Sequence, residues 1–275
     1  MNRIELFSHA LKRTKKTAPA VALLIVACEV LNAADVKPLT PEAGSQAEKK
    51  TRTQWTITPD PSLPNVLILG DSISIGYTLQ VRKLLQGKAN VFRPGNGNNP
   101  VNCSGTTFGV EQIDQWLNGR QWAVIHFNWG LHDLKHVTAP GTSNNSNKSG
   151  DPVQATVEEY RKNLEAIVGK LKPTGARLIF ASTTPVAPET TNPLREPDAP
   201  ARYNAVALKI METNGIRVND LHAFCEPHLQ KWQQPKNVHF NREGYEAMAK
   251  EIADVIIDAL AASPSGNKQG NLKTP

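Results

Sequence analysis

Short runs that are apolar throughout alternate along this chain with longer stretches whose apolar positions recur every three or four residues. Asn65-Val66-Leu67-Ile68-Leu69, Ala123-Val124-Ile125-His126-Phe127 and Arg177-Leu178-Ile179-Phe180-Ala181 are the clearest runs; Ile216-Arg217-Val218 and Ala89-Asn90-Val91-Phe92 are weaker ones. Their length predicts five buried strands. Between them, residues 153–171 carry Val157, Tyr160, Leu164, Ile167, Val168 and Leu171 on one helical face. Residues 242–260 do the same with Tyr245, Met248, Ile252, Val255, Ile256 and Leu260, behind Asn241 as the expected cap. A further helix follows Gly70-Asp71-Ser72, with Leu79, Val81, Leu84 and Leu85 as its apolar positions. Strands with no polar face must be covered on both sides. The expected architecture is therefore α/β, a three-layer α/β/α sandwich around a mainly parallel five-stranded sheet. In such sheets ligands bind beyond the carboxyl ends of the strands, which directs attention to the loops after Leu69, Phe92, Phe127 and Ala181.

Both ends of the chain break this alternation. Residues 1–34 run from a basic stretch ending in Arg13-Thr14-Lys15-Lys16, through the apolar Ala18 to Cys28, to the small residues Ala33 and Ala34. That order is the order of a secretory signal peptide. Glu29 and Asn32 interrupt the apolar run, which is too short for a permanent membrane span. Export, as a secreted or periplasmic protein, is the expectation; Ile25-Val26-Ala27-Cys28 offers lipid anchoring through Cys28 as the alternative. Residues 35–64 are polar and proline-rich, an extended leader. Residues 263–275 have almost nothing to bury and read as a disordered tail. One domain, residues 65–262, lies between them, of ordinary size.

Composition changes the picture little. Of 275 residues, 39% are hydrophobic and 20% charged, which suits a globular domain. The net charge of +6 owes half its excess to the leading segment, where Arg3, Lys12, Arg13, Lys15 and Lys16 face only Glu5 and Glu29. The remainder is an ordinary balance and gives no reason to expect nucleic acid as a partner. Without Cys28, the cysteines are Cys103 and Cys225. In an oxidising compartment they can pair as a Cys103–Cys225 disulfide or stand as separate thiols, and their spacing does not choose. No CxxC or HExxH motif occurs, the cluster His126, His132, Asp133 and His136 matches no standard ligand set, and no metal or other cofactor is expected.

The candidate chemistry starts at Gly70-Asp71-Ser72-Ile73-Ser74. A serine at a strand-to-helix turn places its hydroxyl at the sheet edge, with its own N–H and the positive end of the helix facing the same space. That suits an acyl-transfer nucleophile, though an ordinary helix cap would look the same. The stretch Val66-Leu67-Ile68-Leu69-Gly70-Asp71-Ser72-Ile73-Ser74 resembles the first block of the GDSL/SGNH hydrolase family, and the resemblance runs from about Val66 to Ala261. Asn102-Cys103-Ser104-Gly105-Thr106-Thr107 is similar to the second block, and Asn237-Val238-His239-Phe240-Asn241-Arg242-Glu243-Gly244-Tyr245 to the last. The resemblance implies a flavodoxin-like SGNH fold and ester hydrolysis without a cofactor. It implies Ser72 as nucleophile, His239 as general base, and the N–H groups of Ser72 and Gly105 as oxyanion donors.

Two positions depart from the family pattern. Gly130-Leu131-His132-Asp133 has histidine where the third block has the oxyanion asparagine. His132 can still donate one N–H, more strongly if protonated, or can merely order its loop; Asn128 is an alternative donor. The acid expected three residues before His239 is replaced by Lys236, which cannot accept a proton from imidazole. Asn237 could accept a hydrogen bond without supplying charge, Asp220 could reach the histidine from another loop, and a backbone carbonyl could serve a Ser–His dyad. Trp129 could stack on a sugar or anchor its loop. The polar stretch 138–150 reads as a mobile loop, and residues 186–200 are proline-rich; both would flank the site. These observations point to an exported serine ester hydrolase acting on acetylated carbohydrate or another small ester. The competing reading is a catalytically degenerate SGNH-fold protein that binds carbohydrate without turning it over. A third is a structural envelope protein held by its leading segment.

Overall fold

The computed structural model describes residues 54–95 and 99–262. The signal-like segment with Cys28, most of the polar leader, and residues 263–275 lie outside the described residues. Five strands form one sheet: β1 (Asn65–Leu69), β2 (Asn90–Phe92), β3 (Val124–Phe127), β4 (Arg177–Ala181) and β5 (Arg217–Asn219). All neighbours pair parallel, in the order β2-β1-β3-β4-β5. The sheet is thus wholly parallel. Its order is that of flavodoxin-like sheets, in which the crevice between the first and third strands is the place for a ligand.

Alternation within each strand divides the core. Val66 and Ile68 of β1 face one layer, with Tyr77 and Val81 of α1 (Ser72–Leu84), Leu221 of α5 (Leu221–Cys225) and Met248, Ile252 and Ile256 of α7 (Arg242–Ala261). Leu67 and Leu69 face the other, with Ile113 and Trp116 of α2 (Thr106–Leu117), Tyr160, Leu164 and Ile167 of α3 (Val157–Leu171), and Tyr203 and Met211 of α4 (Ala199–Asn214). Most of these side chains are fully buried, and each aliphatic one contributes on the order of 1.5–3 kcal/mol through its removal from water. A short helix, α6 (Leu229–Trp232), leads into the loop before α7. No helix among the described residues is long and apolar enough to cross a membrane.

The two layers decide the fate of the cysteines. Cys103 packs with the α2–α3–α4 layer and Cys225 with the α1–α7 layer, so the sheet stands between them. Both are buried free thiols, which corrects the expectation that they could pair. Asn241 caps α7 by accepting the Gly244 N–H, as its position before the helix predicts. The α3 helix begins four residues later than the apolar spacing suggested. Thr156 and Glu159 close a reciprocal capping box there, and residues 153–155 run as loop. The last residues before β1 are stitched to the sheet edge by the Asn90 amide, which bonds Asp60 and Leu63 carbonyls and accepts the Asp60 N–H.

Candidate active site

The chain leaves β1 through Gly70 and β3 through Gly130, at φ +151° and +152°. These turns need glycine: a β-carbon on Gly130 would sit 2.0 Å from the Thr183 hydroxyl, and one on Gly70 2.9 Å from the Ser74 hydroxyl. They swing the following residues over the carboxyl edge of the sheet. After Gly70, Asp71 caps α1 by accepting the Ile73 N–H at 2.9 Å, which leaves Ser72 as the first helical residue. Arg93, just beyond β2, clamps this turn. Its guanidinium donates to the carbonyls of Gly70 (2.6 Å), Asp71 (3.2 Å) and Val101 (3.1 Å) and to Ser74 Oγ (2.7 Å).

Ser72 Oγ lies 2.8 Å from His239 Nε2. The histidine is delivered by a tight loop closed by the Gln233–Phe240 bridge and by Gln234 N–H donating to the His239 carbonyl at 2.8 Å. Behind the ring stands Asn237. Its Oδ1 accepts the backbone N–H of His239 at 3.1 Å and lies 2.7 Å from His239 Nδ1. The backbone N–H can only donate, so the atom facing it must be the amide oxygen. That oxygen in turn requires the proton on Nδ1. The Nε2 lone pair is thereby aimed at the Ser72 hydroxyl, the tautomer a general base needs. Burial holds His239 below the ordinary histidine range; the Asp71 carboxylate opposes this shift and Arg195 adds to it. Lys236 is exposed and in the left-handed region at φ +56°.

The second and third blocks meet beside Ser72. Cys103 N–H donates to the Gly70 carbonyl at 3.1 Å, which lays residues 102–105 along the nucleophile turn. Gly105 caps α2, and Asp133 accepts both the N–H and the hydroxyl of Thr106, at 2.8 and 2.5 Å. Among the described residues neither the Ser72 N–H nor the Gly105 N–H has a hydrogen-bond partner, so both remain free for a ligand. His132 Nδ1 lies 3.2 Å from Ser104 Oγ. Burial pushes His132 down to about 4, with Asp71 opposing and Lys135, Arg195 and His239 reinforcing the shift. Burial thus favours the neutral imidazole, which offers a single N–H as donor, over the protonated donor considered from sequence. Asp133 is raised by burial to about 7, against the pull of Thr106. It ties two loops together.

Residues 68–247 match the GDSL-like lipase/acylhydrolase family. The chain belongs to that family. It is accordingly a carboxylic ester hydrolase. No curated protein matches its sequence. Among solved structures, the lipase/acylhydrolase from Enterococcus faecalis is 18% identical with a TM-score of 0.58, covering 74% of this chain and all of its own. The acetyl xylan esterase AlAXEase is 14% identical (TM-score 0.55; 70% of this chain, 99% of its own). An acetylxylan esterase from Geobacillus stearothermophilus is 16% identical (TM-score 0.54; 73% and 95%). At these identities the likeness is one of fold.

Within this acylhydrolase, two candidates from sequence are placed elsewhere. Asp220 caps α5: its Oδ1 accepts Ser182 Oγ at 2.7 Å and the Ala223 N–H at 3.2 Å, while Asn237 occupies the place behind His239. The Asn128 amide donates to the Ala181 carbonyl at 2.8 Å and is buried against β4, so it is not presented as an oxyanion donor. Trp129 is wholly buried, stacked on Trp116 and bonded to the Cys103 carbonyl, which makes it a loop anchor. The polar loop 138–150 is pinned by bridges from Val137 to Asn145 and His136 to Val153, and by Lys135 donating to Ser143 O and Asn145 Oδ1. Sequence reasoning missed Arg93 and Arg195. An arginine directly after the apolar β2 run was the available signal for the first; the second sits unmarked in the proline-rich segment.

Proposed function

We propose that this acylhydrolase is an exported serine ester hydrolase that works through an acyl-enzyme on Ser72, on acetylated carbohydrate or another small ester. The observation that carries the reading is the Ser72–His239 contact of 2.8 Å with Asn237 Oδ1 behind the ring. His239 Nε2 takes the proton as Ser72 Oγ attacks the ester carbonyl; the imidazolium then protonates the departing alcohol. The Ser72 and Gly105 N–H groups and the His132 imidazole stabilise the tetrahedral oxyanion. Water, deprotonated by His239, releases the acid. Asn237 holds the tautomer but supplies no charge, so the imidazolium has the Asp71 carboxylate as its nearby negative group.

Export rests on the composition of residues 1–34. The carbohydrate reading is supported by the esterase neighbours and by a cavity of about 380 Å³ with polar side chains in its lining that adjoins the site at Ser104. Thr107, Glu111, Thr142 and Gln154 line it, with the exposed ring of Phe108 as a surface on which a sugar can stack. Acetate release from O-acetylated xylo-oligosaccharide, measured against 4-nitrophenyl esters of increasing chain length, tests it. The expected result is Ser72-dependent acetate release and a steep fall in kcat/KM beyond short acyl chains; a preference for long acyl chains contradicts it.

The neutral residue behind His239 has a kinetic consequence. The acid limb of kcat/KM is expected to lie below the ordinary histidine value of about 6.5, because burial disfavours the imidazolium. Asn237→Asp places a negative charge on Nδ1, favours the charged ring, and moves that limb upward by about one pH unit or more. At pH 8 kcat should rise on the order of tenfold, because the imidazolium formed during attack gains a counter-charge. An unshifted limb measures Asn237 as having no contact with the base.

A further inference from the structure

Arg195 lies in the loop between β4 and α4 and is only 6% exposed. Its Nε donates to the carbonyl of Leu131, the residue before His132, at 2.8 Å, and Nη1 makes a long contact of 3.5 Å with Pro193 O. Among the described residues it forms no ion pair with a carboxylate and has no further partner. A buried guanidinium is ordinarily paired, because desolvating it without a counter-charge is costly. Burial lowers Arg195 to about 10, and the Asp71 carboxylate offsets part of that.

The nearby carboxylates make their hydrogen bonds to other groups, with one buried oxygen each of Asp71 and Asp133 left unpartnered. Asp71 caps α1 through Ile73, Asp133 is bonded to Thr106, and Glu196 faces His136 at 3.7 Å. The other buried cation of this region, Lys135, is spent on two neutral oxygens, Ser143 O and Asn145 Oδ1. Among the described residues, neither cation forms an ion pair with a carboxylate. Leu131 precedes His132, so the hydrogen bond to its carbonyl holds the Arg195 guanidinium beside the candidate oxyanion loop, and the charge acts on both His132 and His239.

We infer that Arg195 forms an anion subsite beside the scissile bond, and that the enzyme prefers esters bearing a carboxylate. This rests on the Ser72 acyl-enzyme reading and narrows its substrate. The missing counter-charge would come with the substrate, through charge-assisted hydrogen bonds from the guanidinium. The carboxylate has two chemical sources: the alcohol side, as in an O-acetylated uronic acid, or the acyl side, as in the half-ester of a dicarboxylic acid.

The test compares kcat/KM in two pairs, using the full chain. One pair is acetate release from an O-acetylated methyl glucuronoside and the matching methyl glucoside. The other is mono-4-nitrophenyl succinate and 4-nitrophenyl acetate. The expected result is a preference of about tenfold or more for the charged member of one pair, which falls with added salt and identifies the side. Arg195→Gln should bring that ratio near one, and Arg195→Lys should retain part of it. The ratio within one variant is insensitive to lost stability. Equal handling of charged and neutral members by the wild type in both pairs overturns the inference, as does a preference that survives Arg195→Gln. If Arg195→Gln does not fold, succinate should inhibit hydrolysis of 4-nitrophenyl acetate competitively and succinamide should not; equal inhibition overturns it. Absence of Ser72-dependent turnover on all four esters is a different outcome, which rejects the hydrolase reading itself.

Discussion

Replacing Ser72 with alanine is expected to lower kcat/KM for 4-nitrophenyl acetate by about four orders of magnitude or more, with Tm and circular dichroism unchanged. The hydroxyl is partly buried and its side-chain contact is His239 Nε2, so its removal takes away the attacking atom and little packing. His239→Ala should cost nearly as much, because nucleophile and base act as one unit. The double variant Ser72→Ala/His239→Ala should then be scarcely worse than either alone. Steady-state kinetics of the three variants check this. Additive losses would separate the two residues mechanistically, and a Ser72→Ala enzyme with substantial turnover would remove the serine from the chemistry.

His132→Ala is expected to reduce kcat by about 10²–10³ with a smaller change in KM, the signature of a donor that acts on the transition state. Burial favours the neutral ring, so the loss should be the same from pH 6 to pH 9. A protonated donor would instead give a wild-type rate that declines with rising pH. His132→Asn restores the donor type of the family's third block and should recover much of the lost rate. Equal loss in the alanine and asparagine variants would assign His132 to ordering the Ser104 loop, which it contacts at 3.2 Å.

The parts of this molecule that were legible in sequence are those whose signal is local. Five apolar runs announced five strands, and wholly apolar strands demand cover on both faces. The structure shows this in Val66 and Leu67, which are both buried, against opposite layers. Besides the two short helices α5 and α6, two longer helices were hidden. In α2 the buried positions are Thr106, Gly109, Ile113 and Trp116, of which two are not apolar by type. In α4, Pro200 at the first turn and small alanines masked the face that Tyr203, Ala207, Ile210 and Met211 bury.

The site divides in the same way. Ser72, Gly105 and His239 each sit in a short segment whose residue types carry the signal. The group behind His239 could not be chosen, because the acid's usual place holds Lys236, and which neighbour takes over depends on the loop conformation. Lys236 adopts the left-handed region, and Asn237 folds back onto the histidine's own backbone N–H. Arg93 and Arg195 reach the site from loops on either side of it. Their roles depend on carbonyls at Gly70, Asp71 and Leu131, contacts made across the fold that no residue spacing encodes.

The central claim is a covalent acyl-enzyme on Ser72. Its most direct test is reaction with a fluorophosphonate ester, read by intact mass and then by peptide mapping. One adduct per chain, on the peptide containing Ser72, is expected, absent in Ser72→Ala and formed far more slowly in His239→Ala. An unlabelled wild-type protein that still hydrolyses esters, or an adduct on a different residue, would contradict the account.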